Sequence, residues 1–437
     1  MSLPKHPSYK DSGVQWLGEV PEDWEIRPIK HIANLVNGHP FESNLFDAFS
    51  GTPLIRIRDL NKNKTEVFYK GEPIEAIKVT SQDLLIGMDG DFNVGRWLGE
   101  GTALLNQRMC CVRGHSNETT RLLEYALPIP LKLLNDLTYS TTVKHLATSQ
   151  IEKTKIAIPQ DRAELSCLLS FLDHETGKIN ALIAEQEKLL TLLAEKRLAT
   201  ISQAVTRGLN SDAPMKDSRV PWLGEVPAHW DVISLKRLIA DGSSISYGIV
   251  QPGEPLEEGI PFIQTTNMTN GDFSFDILQK TSPEIAGQYP RSRLYGGEVL
   301  LGIRASIGAA HVVPASLAGC NLSRGIARIQ PNRRLSSSYL VAYLDTSSVT
   351  NYWQINKQGS TFNEVSIETV RELAVTVPPI EEQLEIITFI KSATTTLDGL
   401  KVNAERAIAL LKERRSALIA AAVTGKIDVR NLSKIAA

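Results

Sequence analysis

The longest regular pattern of apolar residues in the chain lies between Asp161 and Gly208. Apolar side chains recur there at alternating steps of three and four, the spacing that places them on one face of an α-helix. This pattern predicts a coiled-coil helix of roughly 46 residues, about 70 Å long, which must pack against another element. The residues of the stripe are Leu165, Leu168, Leu172, Ile179, Leu182, Leu189 and Leu193.

Both ends of this predicted helix are marked by residues that typically begin or end a helix. Pro159 ends the preceding strand, and Asp161 is placed to accept the first free backbone amides as N-cap. Glu164 stands three residues later, as in a capping box, and Gly208 can adopt the left-handed conformation that closes a helix.

A second helix of the same kind is predicted between Glu381 and Gly425, after Pro378. Its apolar positions keep a seven-residue spacing, which is typical of a coiled coil. The simplest way to bury both stripes is an antiparallel pair of helices within one chain. The heptad residues are Leu397, Ala404, Leu411 and Leu418, with Leu400 and Ala407 between them.

The chain is a tandem repeat. Residues 11–24 match residues 217–230 at ten of fourteen positions, including the pairs Trp16 with Trp222 and Trp24 with Trp230. Aromatic residues beside leucine and valine favour packing over base stacking. Three further matched blocks are residues 51–59 with 259–267, 83–89 with 298–304, and 142–151 with 361–370.

The numbering offset between the copies separates a constant part from a variable part. It is 206 at the tryptophan block and 219 at the last block before the helices, but stays at 218 along the helices themselves. Surface loops tolerate insertions of this kind. We therefore expect two variable α/β domains, here called head one and head two, separated by two long antiparallel coiled-coil helices of constant length and related by a pseudo-two-fold axis.

Six segments follow from the repeat. We predict an N-terminal segment docking on the helices, head one, the first long helix as a spacer, a connecting segment, head two, and the second long helix with a C-terminal tail. In the same order, the segments are residues 1–26, 27–157, 158–210, 211–232, 233–376 and 377–437.

Composition narrows the function classes. Hydrophobic residues make up 42% and charged residues 22% of the chain, which is ordinary for a globular protein. With no apolar run long enough to span a bilayer and no apolar signal core at the N-terminus, we expect a cytoplasmic protein without membrane contact. Four cysteines without a Cys-x-x-Cys pattern are expected to be reduced and buried. With a net charge of −2, the chain has no overall excess of positive charge of the kind that indicates nucleic-acid binding.

The sequence lacks the common catalytic motifs. It has no Gly-x-x-x-x-Gly-Lys loop for phosphates and no His-Glu-x-x-His motif for a metal. The only Pro-Pro pair, Pro378-Pro379, lacks the preceding Asn or Asp and the following aromatic residue of an amino-methyltransferase. We therefore expect a chain with no catalytic or metal-binding residues.

Polar side chains at matching places in the two heads are candidates for reading DNA. Arginine can hydrogen-bond to guanine in a bidentate manner, and asparagine or glutamine to adenine. The candidates in head one are Arg56, Arg58, Asn61, Lys62, Lys64, Asn93, Arg96, Asn106, Gln107 and Arg108. The candidates in head two are Gln264, Thr266, Asn267, Asn270, Arg304, Ser306, Asn321, Ser323 and Arg324.

The combined pattern resembles the specificity (S) subunit of Type I restriction-modification enzymes. The resemblance rests on Trp-x-Gly-Glu-x-Pro-x-x-Trp before a variable domain, a long helix that starts after proline and ends Ala-Val-Thr, and the repetition of the whole. The repeat anchors are Trp16, Trp24, Pro159, Gly208, Trp222, Trp230, Pro378 and Gly425.

The resemblance implies two target recognition domains that each read half of a split double-stranded DNA target. It also implies docking of two methyltransferase (M) subunits, which use S-adenosylmethionine, and of restriction (R) subunits, which use ATP and Mg. The chain itself would hold no cofactor and would not be an enzyme. The alternative hypothesis is a coiled-coil scaffold whose heads bind protein partners and not DNA.

Overall fold

The computed structural model describes residues 4–138, 144–271, 273–357 and 364–430. The chain divides into two compact units: unit 1 comprises residues 1–186 and 406–437, and unit 2 comprises residues 187–405. The division falls within each of the two long helices, so each unit contains one head and part of both helices.

Unit 1 contains thirteen strands among its described residues, most of them in head one. They are β1 (Tyr9–Asp11), β2 (Glu19–Pro21), β3 (Trp24–Pro28), β4 (Ala33–Asn37), β5 (Phe46–Asp47), β6 (Thr52–Ile55), β7 (Phe68–Tyr69), β8 (Lys78–Val79), β9 (Leu84–Gly87), β10 (Val94–Gly95), β11 (Ala103–Leu105), β12 (Met109–Gly114) and β13 (Lys155–Pro159). Its helices are α1 (Asn117–Ala126), α2 (Pro128–Leu137), α3 (Thr148–Lys153) and the start of α4 (Arg162–Arg207).

Head one is built on two sheets. The first has the order β10-β9-β12-β4 and is antiparallel throughout. All four residues of β9 are buried, as are the first four of β12, and these runs form the centre of the core. The second sheet has the order β5-β7-β6-β11-β8, with β6 and β11 parallel. Strand β3 pairs with β13, with Trp24 opposite Pro159, and so joins the two ends of the head.

Unit 2 repeats this arrangement. Its strands are β14 (Met215–Asp217), β15 (Glu225–Pro227), β16 (Asp231–Ser234), β17 (Ser246–Tyr247), β18 (Ile260–Ile263), β19 (Gln279–Thr281), β20 (Val299–Gly302), β21 (Ala310–Val312), β22 (Asn321–Leu322), β23 (Ile326–Ile329) and β24 (Ala374–Val377). Its helices are α5 (Thr265–Asn270), α6 (Pro283–Gln288), α7 (Ser337–Leu344), α8 (Ser347–Ile355), α9 (Ile367–Glu372) and part of α10 (Ile380–Val423).

The first sheet of head two has the same strand order as the first sheet of head one, whereas its second sheet is smaller, with three described strands in the order β19-β18-β22. The order β21-β20-β23-β17 corresponds to β10-β9-β12-β4, and the parallel pair β18 and β22 corresponds to β6 and β11. Strands β16 and β24 join the ends of head two as β3 and β13 do in head one. The predicted α/β heads in tandem repeat are confirmed. The first residues of the last matched block, Thr142 and Thr361, lie outside the described residues.

The long helices have the predicted lengths, 46 residues for α4 and 44 for α10. They run antiparallel in each unit. In unit 1, Asn180 contacts Arg415, while the start of α4 and the end of α10 meet around Trp24. In unit 2, Arg197 lies 3.7 Å from Asp398, and a Cβ on Gly208 would lie 3.4 Å from Glu382.

Three predicted seam residues face away from the helix pair. Leu182 is 52% exposed, Leu189 38% and Leu400 47%. In the middle of α4 the stripe continues instead through Ile183, which is buried, and half-buried Leu190. Each residue turns the helix by about 100°, so the next position along carries the buried side chain. The heptad positions Leu397, Ala404, Leu411 and Leu418 are buried or half-buried, as predicted.

The helix ends follow the sequence signals with one correction. The Asp161 carboxylate accepts a hydrogen bond from the amide of Ala163 at 2.9 Å, as an N-cap does. Gly208 and Gly425 both adopt the left-handed conformation, with φ of 75° and 68°. Glu164 was predicted to complete a capping box, but its carboxylate accepts a hydrogen bond from Trp24 instead. Glu164 is only 4% exposed, so its carboxylate needs a buried donor, which the indole of Trp24 supplies.

The tryptophans of the repeat pack in the cores, as predicted. Trp24 is 1% exposed in a cluster with Leu168 and Ala422 from the two long helices, and Trp230 is fully buried in the equivalent cluster of unit 2. Trp16 and Trp222 pack against the same two clusters and are partly buried. Within unit 1, the amide of Asp428 also donates to the carbonyl of Pro4 at 2.8 Å.

The cysteines follow the prediction for three of four residues. Cys110, Cys111 and Cys320 are buried, whereas Cys167 is of intermediate exposure, and all four are free thiols. Among the helices of the described chain, none is both long and apolar enough to cross a membrane.

Candidate nucleic-acid interface

Three loops of head two meet at one edge of its sheets. The first follows β18 at Gln264, the second follows β20 at Ile303, and the third follows β22 at Ser323. The amide of Ser323 donates to the carbonyl of Ile263 at 2.9 Å, and the amide of Ile303 donates to the carbonyl of Gly325 at 2.9 Å. These backbone hydrogen bonds fix the three loops against each other.

The loops enclose a cleft of about 680 Å³, hereafter the head-two cleft. Its lining combines polar side chains from all three loops with an apolar side formed by Ile249, Val250 and Phe262. Five candidates from the sequence line it together: Gln264, Thr266, Arg304, Ser323 and Arg324. The structure thus brings into one place residues that lie up to 60 positions apart.

The first loop is a short capped turn. Asn267 accepts a hydrogen bond from the amide of Gln264 at 2.9 Å, so its side chain serves the loop itself. The side-chain amide of Gln264 donates to Gln279 at 2.9 Å. Thr266 is exposed, and the side chain of Asn270 lies outside the described residues.

The second loop is tight and carries a charged residue. Ala305 has φ of 53°, which is unfavourable for a residue with a side chain and is typical of functional loops. The amide of Ser306 donates to the carbonyl of Arg304 at 2.5 Å, and the Ser306 hydroxyl is buried with no partner among the described residues. The guanidinium of Arg304 contacts the carboxylate of Glu364 at 2.5 Å.

Head one brings the equivalent loops together with the same backbone hydrogen bonds. The amide of Asn106 donates to the carbonyl of Ile55 at 3.1 Å, and the amide of Met88 donates to the carbonyl of Arg108 at 2.9 Å. A glycine stands beside the third loop in both heads. A Cβ would lie 1.8 Å from a carbonyl oxygen at Gly38 and 2.1 Å at Gly248, so only glycine fits either place.

The first loop of head one carries a network of charges. The carboxylate of Asp59 accepts from the amide of Arg56 at 3.0 Å, as Asn267 does in head two. Arg56 also lies 3.2 Å from Asp59 and 3.5 Å from Glu66, and Arg58 lies 3.8 Å from Glu66. The side chain of Arg58 is 65% exposed. Asn106 is half-buried beside this loop, and Gln107, Arg108, Lys62, Lys64 and Asn93 are exposed.

The side chains of three candidates are engaged in hydrogen bonds within their own head. Asn61 adopts a left-handed conformation and accepts a hydrogen bond from the amide of Arg96 at 3.1 Å. Arg96 is only 16% exposed and donates to Glu124 at 2.8 and 2.6 Å and to the carbonyl of Gln82 at 2.6 Å. Asn321 is 3% exposed and donates to Ser292 at 2.8 Å inside the core of head two. The prediction was wrong for Asn321, which is too buried to reach DNA, and for Arg96, whose donors are occupied within the head.

Sequence reasoning missed the charged partners at the cleft. In head one, Asp89 contacts His145 at 2.7 Å and Arg108 at 3.3 Å. In head two, the partner of Arg304 is Glu364. The third matched block already placed Asp89 opposite Arg304, which is the one signal that a charged site occupies this loop in both heads. No three His, Cys, Asp or Glu side chains in the described chain form a group that could hold a metal ion.

Two equivalent heads thus each present polar side chains from three loops at one edge. Such side chains are of the types that contact base edges in nucleic-acid-binding proteins. The comparisons identify the family. The family "Type I restriction modification DNA specificity domain" matches residues 21–188 and 254–406. The chain belongs to this family.

Two curated relatives match this chain over nearly their whole length. The chain is 28% identical over 427 residues to the EcoBI specificity subunit of Escherichia coli, covering 96% of this chain and 90% of that protein. It is 23% identical over 446 residues to the putative MjaX specificity subunit of Methanocaldococcus jannaschii, covering 95% and 96%.

A solved structure supports the fold. The chain matches, at a TM-score of 0.61 and 16% identity, a chain from "Structural basis underlying complex assembly and conformational transition of the type I R-M system", covering 92% of this chain and 98% of that one. The chain is therefore a Type I specificity subunit with two DNA target recognition domains, and the protein-scaffold alternative is not favoured.

Proposed function

We propose that the chain reads a two-part double-stranded DNA target, one half-site per head, and that it is not itself catalytic. The observation that carries the proposal is the convergence of three loops with polar side chains in each head. Base edges in the major groove are read by such side chains, whereas backbone contacts only position the protein. Residues 27–157 and 233–376 are the proposed reading domains.

The reading surface combines the exposed candidates of each head. In head one these are Arg58, Lys62, Lys64, Asn93, Gln107 and Arg108 around half-buried Arg56 and Asn106. In head two, exposed Thr266 and Arg324 line the cleft together with half-buried Gln264, Arg304 and Ser323. Lysines on flexible stems suit phosphate contacts, while the arginines and amides suit base contacts. Asn61, Asn267 and Ser306 support the loops.

The long helices have two proposed roles. Their constant length in the repeat suits a spacer that fixes the unread gap between the half-sites. Their outward faces expose apolar side chains, with Leu192 51%, Val402 60% and Leu410 55% exposed. An exposed apolar stripe on a helix is typical of a protein interface. We propose that two methyltransferase subunits, using S-adenosylmethionine, dock there, and that restriction subunits using ATP and Mg join them in the full complex.

The near-neutral charge of the chain is consistent with a complex in which partner subunits supply part of the DNA affinity. DNA affinity depends largely on the number of phosphates that lysine and arginine neutralise. With a net charge of −2, the chain alone should bind DNA weakly and gain affinity from its partners.

The test is co-expression of the chain with a Type I methyltransferase subunit that copurifies with it, followed by mapping of methylated bases across the host genome. The expected result is one methylated motif in two parts separated by unread bases. Methylation without a fixed motif, or a motif in one continuous part, would contradict the proposal. The chain expressed alone is the control and should methylate nothing.

A further inference from the structure

We propose that each head reads a guanine with an arginine that a carboxylate holds in place: Arg304 held by Glu364 in head two, and Arg108 held by Asp89 in head one. The inference rests on the proposed function, since it names the base that each head recognises. It assigns a G·C pair to each half-site.

Contacts hold both the backbone and the guanidinium of Arg304 in place. Its backbone amide donates to the carbonyl of Gly325 at 3.2 Å, and its carbonyl accepts from Ser306. Its guanidinium contacts Glu364 through Nη2 at 2.5 Å. The side chain is 35% exposed, so part of it faces the head-two cleft that it lines. A guanidinium has five N–H donors. Nε of Arg304 is buried without a partner among the described residues, and Nη2 contacts Glu364, so the donors left for a ligand are those of Nη1 and the second one of Nη2.

Head one achieves the same result with different residues. The Asp89 carboxylate uses Oδ1 for His145 at 2.7 Å and Oδ2 for Nε of Arg108 at 3.3 Å. Because the ion pair is made by Nε, the two terminal nitrogens of Arg108 are not needed for it. The side chain of Arg108 is 54% exposed. His145 orients the carboxylate, and the carboxylate orients the arginine.

The repeat argues that the arginine–carboxylate pair has a purpose beyond stability. Asp89 and Arg304 occupy equivalent positions, and each forms an antiparallel bridge to the segment that follows the sheets, Asp89 to His145 and Arg304 to Glu364. The acidic residue is at the second loop in head one and on the later segment in head two. Each head nevertheless has one arginine held by a carboxylate beside its third loop. Partly exposed ion pairs contribute little to stability, and the strained Ala305 next to Arg304 opposes stability.

The chemistry of the pair selects guanine. The O6 and N7 atoms of guanine both accept hydrogen bonds, and the planar fork of arginine matches them in a bidentate manner. Adenine presents a donor amino group at one of these places and cannot pair with the fork. A side chain already held in one orientation loses less conformational entropy on binding, so the carboxylate strengthens discrimination.

The experiment uses the complex of the full chain with its methyltransferase subunit, whose target has first been mapped. Binding is measured by competition with duplexes that differ from the target at one base pair at a time. The variants in head two are Arg304→Lys, Glu364→Gln and Glu364→Asp, and those in head one are Arg108→Lys and Asp89→Asn. Arg371→Lys is the control, because Arg371 pairs with Glu368 at 3.5 Å but does not line the cleft.

We expect one G·C pair in the head-two half-site whose replacement weakens wild-type binding about 5- to 150-fold. Arg304→Lys should weaken this discrimination, because the flexible ammonium lacks the planar fork of the guanidinium, and should leave every other position unchanged. Glu364→Gln should reduce it partly, Glu364→Asp should restore some of it, and neither should lower Tm. Arg108→Lys and Asp89→Asn should act in the same way on the other half-site only. Arg371→Lys should change nothing.

Three results would overturn the inference: a half-site without a G·C pair, an Arg304→Lys complex that is weakened equally on all sequences, or Glu364 variants that lower Tm without changing discrimination. These leave the two-part target intact and so differ from failure of the proposed function. If the wild-type complex shows no sequence preference at all, both proposals fail.

Discussion

The indole of Trp24 donates a hydrogen bond to Glu164 at 3.0 Å, and Glu164 lies in the first turn of α4. The repeat reproduces this contact: Trp230 donates to Glu382 at 3.1 Å, and Glu382 lies in the first turn of α10. In both units a buried tryptophan at the start of a head is thereby fixed to the start of the long helix that follows the head.

Removing the indole donor should destabilise unit 1 more than unit 2. Trp24→Phe leaves the carboxylate of Glu164, 4% exposed, without its indole donor, which costs about 1–3 kcal/mol. In the matched variant Trp230→Phe, Glu382 keeps His229 at 2.9 Å, so the loss should be smaller. Urea unfolding followed by circular dichroism measures both. An equal or greater loss for Trp230→Phe would contradict this account of the contact.

The ion pair of Asp83 with Arg113 should contribute stability that depends on pH. Burial raises the pKa of Asp83, but the hydrogen bonds from Arg113 at 2.7 Å and from the amide of Thr80 outweigh it, so the pKa lies below its ordinary 3.8. A carboxyl with a lowered pKa in the folded state stabilises the protein above its unfolded-state pKa and loses this contribution as the pH falls through the folded-state pKa.

The comparison of wild type with Asp83→Asn tests this. The wild type should be more stable by about 1.5–3 kcal/mol near pH 7, and the difference should shrink below about pH 4. Urea unfolding of both proteins at several pH values gives the difference directly. A difference that stays constant down to pH 3 would show that the ionised carboxylate is not responsible.

The buried cysteines should resist alkylation in the folded protein. Burial raises the pKa of Cys110 and of Cys111 to about 12, and that of Cys320 to about 11. Because the thiolate is the reactive form, iodoacetamide at pH 8 should modify partly exposed Cys167 first and the other three only after unfolding. Mass spectrometry of the labelled peptides measures the order. Early labelling of Cys110 or Cys111 would contradict their burial.

Substitution of Arg96 should lower the stability of the protein, whereas substitution of Arg58 should weaken DNA binding. Arg96→Ala removes the contacts with Glu124 and Gln82 and should lower stability by about 1.5–3 kcal/mol without changing the bases preferred. Arg58→Ala removes a 65% exposed side chain from the reading surface and should weaken DNA binding with little change in Tm. Melting curves and binding by the methyltransferase complex separate the two. A changed base preference in Arg96→Ala would return that residue to the reading surface.

The sequence was sufficient for features that depend on neighbours along the chain. The extents of the long helices, the cap at Asp161 and the closing glycines depend on nearby residues, so the sequence predicted them, and the repeat predicted two matching heads. The phase in the middle of α4 was not predicted, because the face that is buried there depends on the partner helix. The sequence was insufficient for contacts between residues that lie far apart along the chain. His145 lies 56 residues from Asp89 and Glu364 lies 60 from Arg304, and only the fold brings them together. For the same reason the sequence could not show that Arg96 faces Glu124 or that Asn321 is buried.

The long helices are proposed to set the spacing at which the two heads read their separate half-sites. Inserting one heptad after Gln186 in α4 and one after Glu405 in α10 lengthens both helices and keeps the phase of their apolar stripes. Seven helical residues add about 10 Å, and base pairs are spaced by about 3.4 Å.

Mapping of methylated bases in cells that carry the lengthened chain and its methyltransferase subunit is the direct test. The same two half-sites are expected, separated by a gap that is longer by roughly two or three base pairs. An unchanged gap, or altered half-sites, would contradict it.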